Sequence, residues 1–144
     1  MEEIIIRWTR PEDYEAFETL YAQCIYLDGT GTCAHTERYG KDKFEEMCEG
    51  NIIVAEKAGM LVGYIIIYAS SKYDDVLEIS EMFTTISVRG CGVGRKMLAF
   101  MESEMNGTDY NKIDLMSFSM RTDRIWERMG FRSINFSEHY RKTL

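Results

Sequence analysis

The sequence predicts an α/β protein with a single mixed central sheet of six to seven strands flanked by about four helices, in the order β-α-α-β-β-β-α-β-α-β(-β). Short β-rich runs alternate with runs in which apolar residues recur at intervals of three and four, as in strands and amphipathic helices. A glycine-rich stretch at 88–98 joins one β-rich run to a helical run, and another β-rich run follows. This order indicates one β-α-β unit, whose right-handed crossover requires parallel strands. The length of 144 residues predicts one domain over 1–144.

The N-terminal third is predicted to form one strand and two helices. Ile4 to Trp8 is a short β-rich run, and Thr9-Arg10-Pro11-Glu12 has the pattern of a capping box, so a helix should begin near Arg10 and end by Leu27. This helix carries one apolar stripe, formed by Tyr14, Phe17, Tyr21 and Cys24. After the connection 28–32, a second helix is expected from about Thr36 to Glu49, with an inward face of Phe44, Met47 and Cys48.

The middle of the chain is predicted to form the antiparallel half of the sheet. Asn51 to Lys57 and Leu61 to Tyr68 are β-rich runs separated by Ala58-Gly59-Met60, which indicates a hairpin. Val76 to Ile86 is expected to be the strand that leads into the glycine-rich stretch. A strict period of two would give this strand one face of Glu78, Ser80, Met82 and Thr84 and an opposite face of Ile79, Glu81 and Phe83.

The C-terminal part is predicted to complete the sheet. The helix 93–105 is followed by a strand at Lys112 to Phe118, parallel to the strand before the helix. A short helix from Thr122 or Asp123 to Met129 should stop at Gly130. Phe131 to Phe136 returns as a strand, and Tyr140 to Thr143 leaves room for one brief final strand.

Composition limits the classes of function. The formal net charge of −7 and the pI of about 4.9 argue against nucleic-acid binding and favour a cationic small-molecule partner. The N-terminus lacks a targeting pattern and no apolar run approaches the ~20 residues of a membrane span, so we expect a cytoplasmic protein without a membrane partner. The four cysteines have no C-x-x-C spacing, which indicates reduced thiols and no metal site, the pair Cys33-Ala-His35 included.

The stretch Val88 to Leu98 is predicted to bind an anion. Gly90, Gly92 and Gly94 can turn successive backbone N–H groups towards one point, because no Cβ stands in the way. The helix that begins at Val93 adds its N-terminal N–H groups and its dipole. Three cations flank the loop in an otherwise acidic chain: Arg89, Arg95 and Lys96.

Two other phosphate-binding loops fit poorly. A Walker loop needs Ser or Thr after its Gly-Lys, whereas Gly94 is followed by Arg95-Lys96-Met97. A dinucleotide fingerprint would have glycine at the position of Arg95 and an acidic residue about 20 residues later, near the start of a domain. An ordinary glycine-rich turn between a strand and a helix is the remaining alternative.

The motif Arg89-Gly90-Cys91-Gly92-Val93-Gly94 resembles the Arg/Gln-x-x-Gly-x-Gly/Ala signature of the GCN5-related N-acetyltransferase (GNAT) family. The run Glu81-Met82-Phe83-Thr84 is similar to the fourth strand of that family. The segment 126–131, Trp-Glu-Arg-Met-Gly-Phe, is similar to the Tyr-Glu-Lys-Leu-Gly-Phe segment of its late helix.

The resemblance implies a GNAT fold and an acetyltransferase that uses acetyl-coenzyme A (acetyl-CoA) as cosubstrate and no metal. The pyrophosphate of acetyl-CoA would lie on the glycine loop. The implied acceptor is a small-molecule or peptide amine, and the short C-terminus leaves open a homodimer in which a partner completes the pocket. The implied cofactor-binding residues are Met82, Thr84, Arg89, Gly90, Cys91, Gly92, Val93, Gly94, Arg95, Ser119 and Trp126.

Acetyl transfer to a primary amine requires a base, because an amine with a pKa near ~10 is almost wholly protonated at neutral pH. The resemblance implies a glutamate at Glu81, at Glu78 or at both, and we favour Glu81. With strict alternation the two side chains project to opposite faces, so both can reach one acceptor only if the strand bulges. The alternative is that both are solvated glutamates on the sheet surface.

The resemblance also implies a backbone N–H at about Phe83 or Thr84 as the donor to the thioester oxygen. The tyrosine that commonly protonates the leaving thiolate is replaced by Trp126, for which we expect a packing role along the pantetheine arm. Ser119, Thr122 and Tyr140 are the substitutes for that acid. A thiolate with a reference pKa near ~8.5 can also leave without assistance.

Direct attack in a ternary complex is expected, because Cys91 has no identified histidine partner that would make it a nucleophile. The alternative function is a non-catalytic acyl-CoA-binding sensor or regulatory domain, which the missing tyrosine would suit. Turnover of acetyl-CoA separates the two.

Overall fold

The computed structural model describes residues 3–27, 40–117 and 119–144, without the side chains of 24–27. Its strands are β1 (Ile4–Trp8), β2 (Ile52–Lys57), β3 (Met60–Ala69), β4 (Val76–Thr84), β5 (Lys112–Met116), β6 (Arg132–Ser133) and β7 (His139–Thr143). Its helices are α1 (Tyr14–Leu27), α2 (Lys41–Met47), α3 (Val93–Met105) and α4 (Met120–Arg128). Single 3₁₀ turns at Pro11–Asp13 and Ile86–Val88 precede α1 and follow β4.

The seven strands form one mixed sheet in the order β1-β2-β3-β4-β5-β7-β6. Only β4 and β5 pair in parallel, and every other neighbouring pair is antiparallel. The predicted fold class and the parallel pairing across α3 are therefore confirmed. The brief final strand is β7, which lies between β5 and β6.

The sheet separates two hydrophobic clusters. One contains α3 and the Met129 end of α4. Val93, Met97, Met101 and Met105, which recur every four residues along α3, are fully buried in it. The other contains α1 and α2 and is mainly aromatic, with Phe17, Tyr21, Phe44, Tyr64 and Phe83 in contact. We call these the α3 face and the α1 face of the sheet.

The start of α1 differs from the predicted capping box. Arg10 is the N-cap of the 3₁₀ turn that leads into α1, and its backbone N–H donates to Asp13 Oδ2 at 2.8 Å. The Thr9 hydroxyl instead donates to the Ile52 carbonyl at 3.1 Å, because Thr9 continues the pairing of β1 with β2. Arg7 forms an ion pair with the same Asp13, which fixes the turn against the first strand.

Several predicted boundaries also shift. β4 ends at Thr84 and not at Ile86, because a 3₁₀ turn follows it. α4 begins at Met120 because Ser119 is its N-cap and accepts the Thr122 N–H. The predicted strand 131–136 is only β6, since the chain turns at 134–137 with Asn135 and Phe136 at positive φ. The connection 28–32, the start of the second helix at Thr36, the Cys24 side chain and Phe118 lie outside the described residues.

Asp114 joins β5 to β7 on the α1 face. Its side chain is 3% exposed, and its carboxylate accepts hydrogen bonds from Arg141 (2.7 and 2.9 Å) and pairs with His139 Nε2 (2.7 Å). Burial alone would raise the pKa of Asp114, but the hydrogen bonds from Arg141 and His139 outweigh it, so the pKa lies below its usual range. The stability that this carboxylate contributes is therefore lost only in strong acid.

Asp114→Asn should lower the free energy of unfolding by about 3 kcal/mol at pH 7, because it leaves the partly buried Arg141 guanidinium without its buried carboxylate partner. The folded-state pKa is below the unfolded value of about 3.9, so the difference from wild type should shrink as the pH falls below about 4. Urea unfolding between pH 7 and pH 3 measures it. The exposed Asp109→Asn is the matched control and should leave stability unchanged. A difference that is independent of pH would contradict this role for Asp114.

Candidate functional site

A bulge in β4 reorganises the side chains that lead to the glycine loop. β3 pairs Ile66 with Glu81 but Ile67 with Ile79, so Ser80 is an additional residue in β4. Directly opposite residues in an antiparallel pair share a face. Glu78 therefore lies on the face of Tyr68, and Glu81 on the face of Ile66, which is the same α1 face.

The predicted face assignment of this strand is therefore wrong. Ile79 packs in the α3 cluster, whereas Phe83 packs in the α1 cluster, although strict alternation puts them together. The bulge lies between them and inverts the alternation. Its consequence is the arrangement that a regular strand excludes, with Glu78 and Glu81 on one face.

Glu81 is buried among aromatic rings, at 7% exposure. The Tyr64 hydroxyl donates to Glu81 Oε1 at 2.8 Å, from the position diagonal to Glu81 across the β3–β4 pair. Burial raises the pKa of Tyr21, and the nearby charge of Glu81 raises it further, so this neighbouring hydroxyl stays protonated. Glu78, in contrast, is exposed. The two glutamates thus share a face but differ in environment.

An open edge follows Glu78. β4 pairs with β5 only at three positions, from Val76 to Glu78, and then leaves it. The Thr85 N–H donates to the Val62 carbonyl on β3 at 2.9 Å. Along a strand, the N–H groups of successive residues point alternately to one neighbouring strand and to the other. The N–H groups of Met82 and Thr84 therefore point to the open edge, whereas that of Phe83 points to β3. Consistently, the Thr84 carbonyl accepts from Arg89 Nε at 3.1 Å.

The glycine loop has the backbone of an anion site. Gly90 and Gly92 have φ of +83° and +79°, a region that other residues enter at a cost. The first bond within α3 runs from Lys96 N–H to the Gly92 carbonyl, so the three preceding N–H groups have no carbonyl within the helix. Cys91 is exposed, and a Cβ on Gly94 would contact Met82 Sδ at 3.5 Å. Strand and loop are therefore in direct contact.

The two arginines of the motif lie on either side of this loop. Arg89 is exposed and its guanidinium lies 5.5 Å from the Phe83 ring centroid. Arg95, in the first turn of α3, donates to the Arg128 carbonyl at 3.2 Å. It thereby connects the loop to the end of α4.

The start of α4 brings together two of the three hydroxyls considered as acids, those of Ser119 and Thr122. Thr122 Oγ1 lies 2.7 Å from Ser117 Oγ and 3.0 Å from Ser119 Oγ. Trp126 packs edge-on against Phe131, with ring centroids 5.3 Å apart. Tyr140 is buried, and this burial together with the charge of Asp123 raises its pKa.

The sequence model of the acetyltransferase (GNAT) domain matches residues 48–133, a span that includes the bulged strand, the glycine loop and α4. The chain belongs to the GNAT acetyltransferase family. No curated protein sequence matches it significantly.

Solved structures share this GNAT fold at low sequence identity. The PaiA N-acetyltransferase of Thermoplasma acidophilum, in complex with coenzyme A, is 15% identical over 99% of both chains, with a TM-score of 0.79. A GNAT acetyltransferase of Listeria monocytogenes is 18% identical (98% of this chain and 95% of that one, TM-score 0.74). One from Brucella melitensis, in complex with acetyl-CoA, is 14% identical (100% and 90%, TM-score 0.70).

The described residues contain no group of three or more side chains suited to a metal ion. Cys33 and His35 lie outside them. Within the same residues, no helix is long and apolar enough to cross a membrane.

Sequence reasoning did not identify Tyr64 as part of the site. It lies within the apolar run of β3, where a tyrosine suggests a buried ring whose hydroxyl needs a partner. The partner could not be found without the β3–β4 register, because Glu81 is 17 residues away in the chain. The sequence offered one indication of this contact, a tyrosine in the apolar run of β3 followed by a strand that contains glutamates.

Tyr64 and Glu81 should be energetically coupled by about 1.5 kcal/mol, because a neutral donor holds a buried carboxylate. Urea unfolding of Tyr64→Phe, Glu81→Gln and the double variant at pH 7 gives this value. Tyr68→Phe, four residues from Tyr64 along β3 on the same face, is the control and should show no coupling with Glu81→Gln. A Tyr64–Glu81 coupling below about 0.5 kcal/mol would contradict the contact.

Proposed function

We propose that this protein is an acetyl-CoA-dependent N-acetyltransferase that acts on a primary amine by direct attack in a ternary complex. The observation that carries the proposal is the bulge at Ser80, since it puts two glutamates on one face beside an open strand edge and a glycine loop. Bound acetyl-CoA would supply an activated acetyl group as a thioester. Residues of this chain would bind the cosubstrate, take the proton from the amine and stabilise the charge on the thioester oxygen.

The glycine loop fits the pyrophosphate of the cosubstrate. A Cβ built on Gly90 or Gly92 meets no heavy atom within 4 Å, so the space in front of these residues is open to a ligand. The N–H groups at the start of α3 donate to it, and the helix dipole favours its negative charge. In the T. acidophilum and B. melitensis proteins, whose fold this chain shares, coenzyme A and acetyl-CoA are bound.

Glu81 is the base in this proposal. Its carboxylate is fixed by Tyr64 and lies on the α1 face next to the open edge, so it can take the amine proton directly or through one water. Glu78 is exposed on the same face and would hold the acceptor by its positive charge. Together with the net charge of −7, the pair supports a cationic acceptor.

The backbone of β4 would stabilise the charge that develops on the thioester oxygen. Of the two expected positions, we assign this role to the Thr84 N–H, because alternation directs the Phe83 N–H into the pairing with β3. Met82 presents its backbone to the same edge and its sulfur to Gly94, so it would contact the pantetheine arm. Trp126 is a packing residue beside it.

Glu81→Gln should lower kcat/KM at least about 100-fold and remove the acidic limb of its pH profile, because a buried amide cannot accept the proton. Glu78→Gln should mainly raise the KM of the acceptor. Thiol release from acetyl-CoA with polyamines, aminoglycosides, amino acids and peptide N-termini measures both, with coenzyme A binding as the check on folding.

If neither substitution changes turnover, the assignment of the base is wrong. If coenzyme A binds but no amine releases thiol, the protein is the acyl-CoA-binding sensor instead.

Gly92→Asp should raise the dissociation constant of coenzyme A more than about 100-fold, because it puts a carboxylate where the pyrophosphate lies. Gly92→Asn has the same shape, tolerates positive φ and should cost only about tenfold. For wild type, coenzyme A at 100 times its dissociation constant should raise the melting temperature by roughly 5–10 °C. An undiminished shift with Gly92→Asp would refute the loop as the site.

A further inference from the structure

The end of α4 forms a groove that the acetyl-transfer chemistry does not use. It measures about 330 Å³ and is lined by Arg124, Glu127, Arg128 and Arg132. Three guanidiniums thus share one space with one carboxylate, in a chain that has 24 acidic and 17 basic residues. Such a cluster costs free energy through mutual repulsion unless an anion lies within it.

The arginines of this groove are not used to pair with the protein's own carboxylates. Within the described residues, no carboxylate forms an ion pair with Arg124 or Arg128, and both side chains are exposed. Arg132 donates to two backbone carbonyls, Glu127 at 3.1 Å and Phe131 at 2.8 Å, which fixes it at the end of the helix. Arginine is suited to phosphate because its planar fork of N–H donors can bind two oxygens at once.

One side chain connects the groove to the glycine loop. Arg95 belongs to the first turn of α3, where the pyrophosphate is proposed to lie, and its guanidinium bonds to the carbonyl of Arg128. The loop and the groove are therefore neighbours, joined through Arg95. In coenzyme A the pyrophosphate is separated from a second phosphate, on the 3′ oxygen, by only one ribose.

We propose that this groove binds the 3′-phosphate of the cosubstrate and makes the protein select coenzyme A over dephospho-coenzyme A. The inference rests on the proposed function, because it takes the pyrophosphate to lie on the glycine loop. Arg124 and Arg128 supply the charge and the donors, and Arg132 holds the end of the helix in place. Glu127 opposes the same phosphate and limits the affinity.

Calorimetric titration of the whole protein with coenzyme A and with dephospho-coenzyme A tests the proposal. Wild type should bind coenzyme A about 10- to 30-fold more tightly. The double variant Arg124→Gln/Arg128→Gln should reduce that ratio to about 1 to 3 by weakening coenzyme A binding alone. Glu127→Gln should increase the ratio about twofold.

The control is Arg121→Gln, another exposed arginine of α4 that does not line the groove, which should leave the ratio as in wild type. Equal affinity of wild type for the two ligands would overturn the proposal, as would a double variant that weakens both ligands equally. These results leave the proposed function intact. If wild type binds neither ligand, the proposed function itself fails and the inference fails with it.

Discussion

The additional residue at Ser80 is the constraint on which the rest of the site depends. β4 must present apolar side chains to α3 on one face and to α1 on the other, and it must leave β5 while it remains paired with β3. A bulge inverts the alternation, bends the strand and increases its twist. The parallel pairing with β5 ends at Glu78, two residues before Ser80, and β3 stays paired as far as Thr84. One inserted residue thus accounts for the shared face of Glu78 and Glu81. The bend that it introduces also accounts for the separation of β4 from β5 at the open edge.

Local sequence patterns correctly predicted the structural features that depend on only a few neighbouring residues. The bounds of β1 and the buried repeat of α3 agree with the structure because each follows from a single periodicity. The glycine loop could be predicted equally well, since the ability of Gly90 and Gly92 to adopt the observed positive φ is a property of glycine itself. The faces of β4 could not be predicted in this way, because the bulge is defined by its register against β3. Tyr64 and the use of Asp13 in place of Thr9 as the capping partner depend on the same long-range pairings.

The sheet also separates two kinds of charge. On the α3 side, the glycine loop, Arg95 and the arginines of α4 bring N–H donors and positive charge together, as the proposed anion sites require, although the chain as a whole is acidic. On the α1 side lie Glu78 and Glu81. Of the cations on that side, Arg141 is bound to Asp114 and the Arg89 guanidinium lies over the Phe83 ring. In the proposed reaction, an anionic cosubstrate and a cationic acceptor would therefore be attracted to opposite faces and would meet where β4 and β5 part. This arrangement would oppose binding of either ligand in the place of the other.

The replacement of the expected tyrosine by Trp126 need not impair catalysis. An indole N–H has no useful acidity, and Trp126 is already packed against Phe131. Tyr140 stays protonated, since burial raises its pKa, but that burial also limits its access to a leaving group. The hydroxyls of Ser117, Ser119 and Thr122 lie within hydrogen-bond distance of one another where β5 ends and α4 begins, next to the open edge. Such a group can donate a hydrogen bond to a departing thiolate, and a thiolate with a pKa near ~8.5 needs no more than that. The proposed mechanism therefore needs no strong acid on α4, and its demanding proton transfer would be the one from the amine to Glu81.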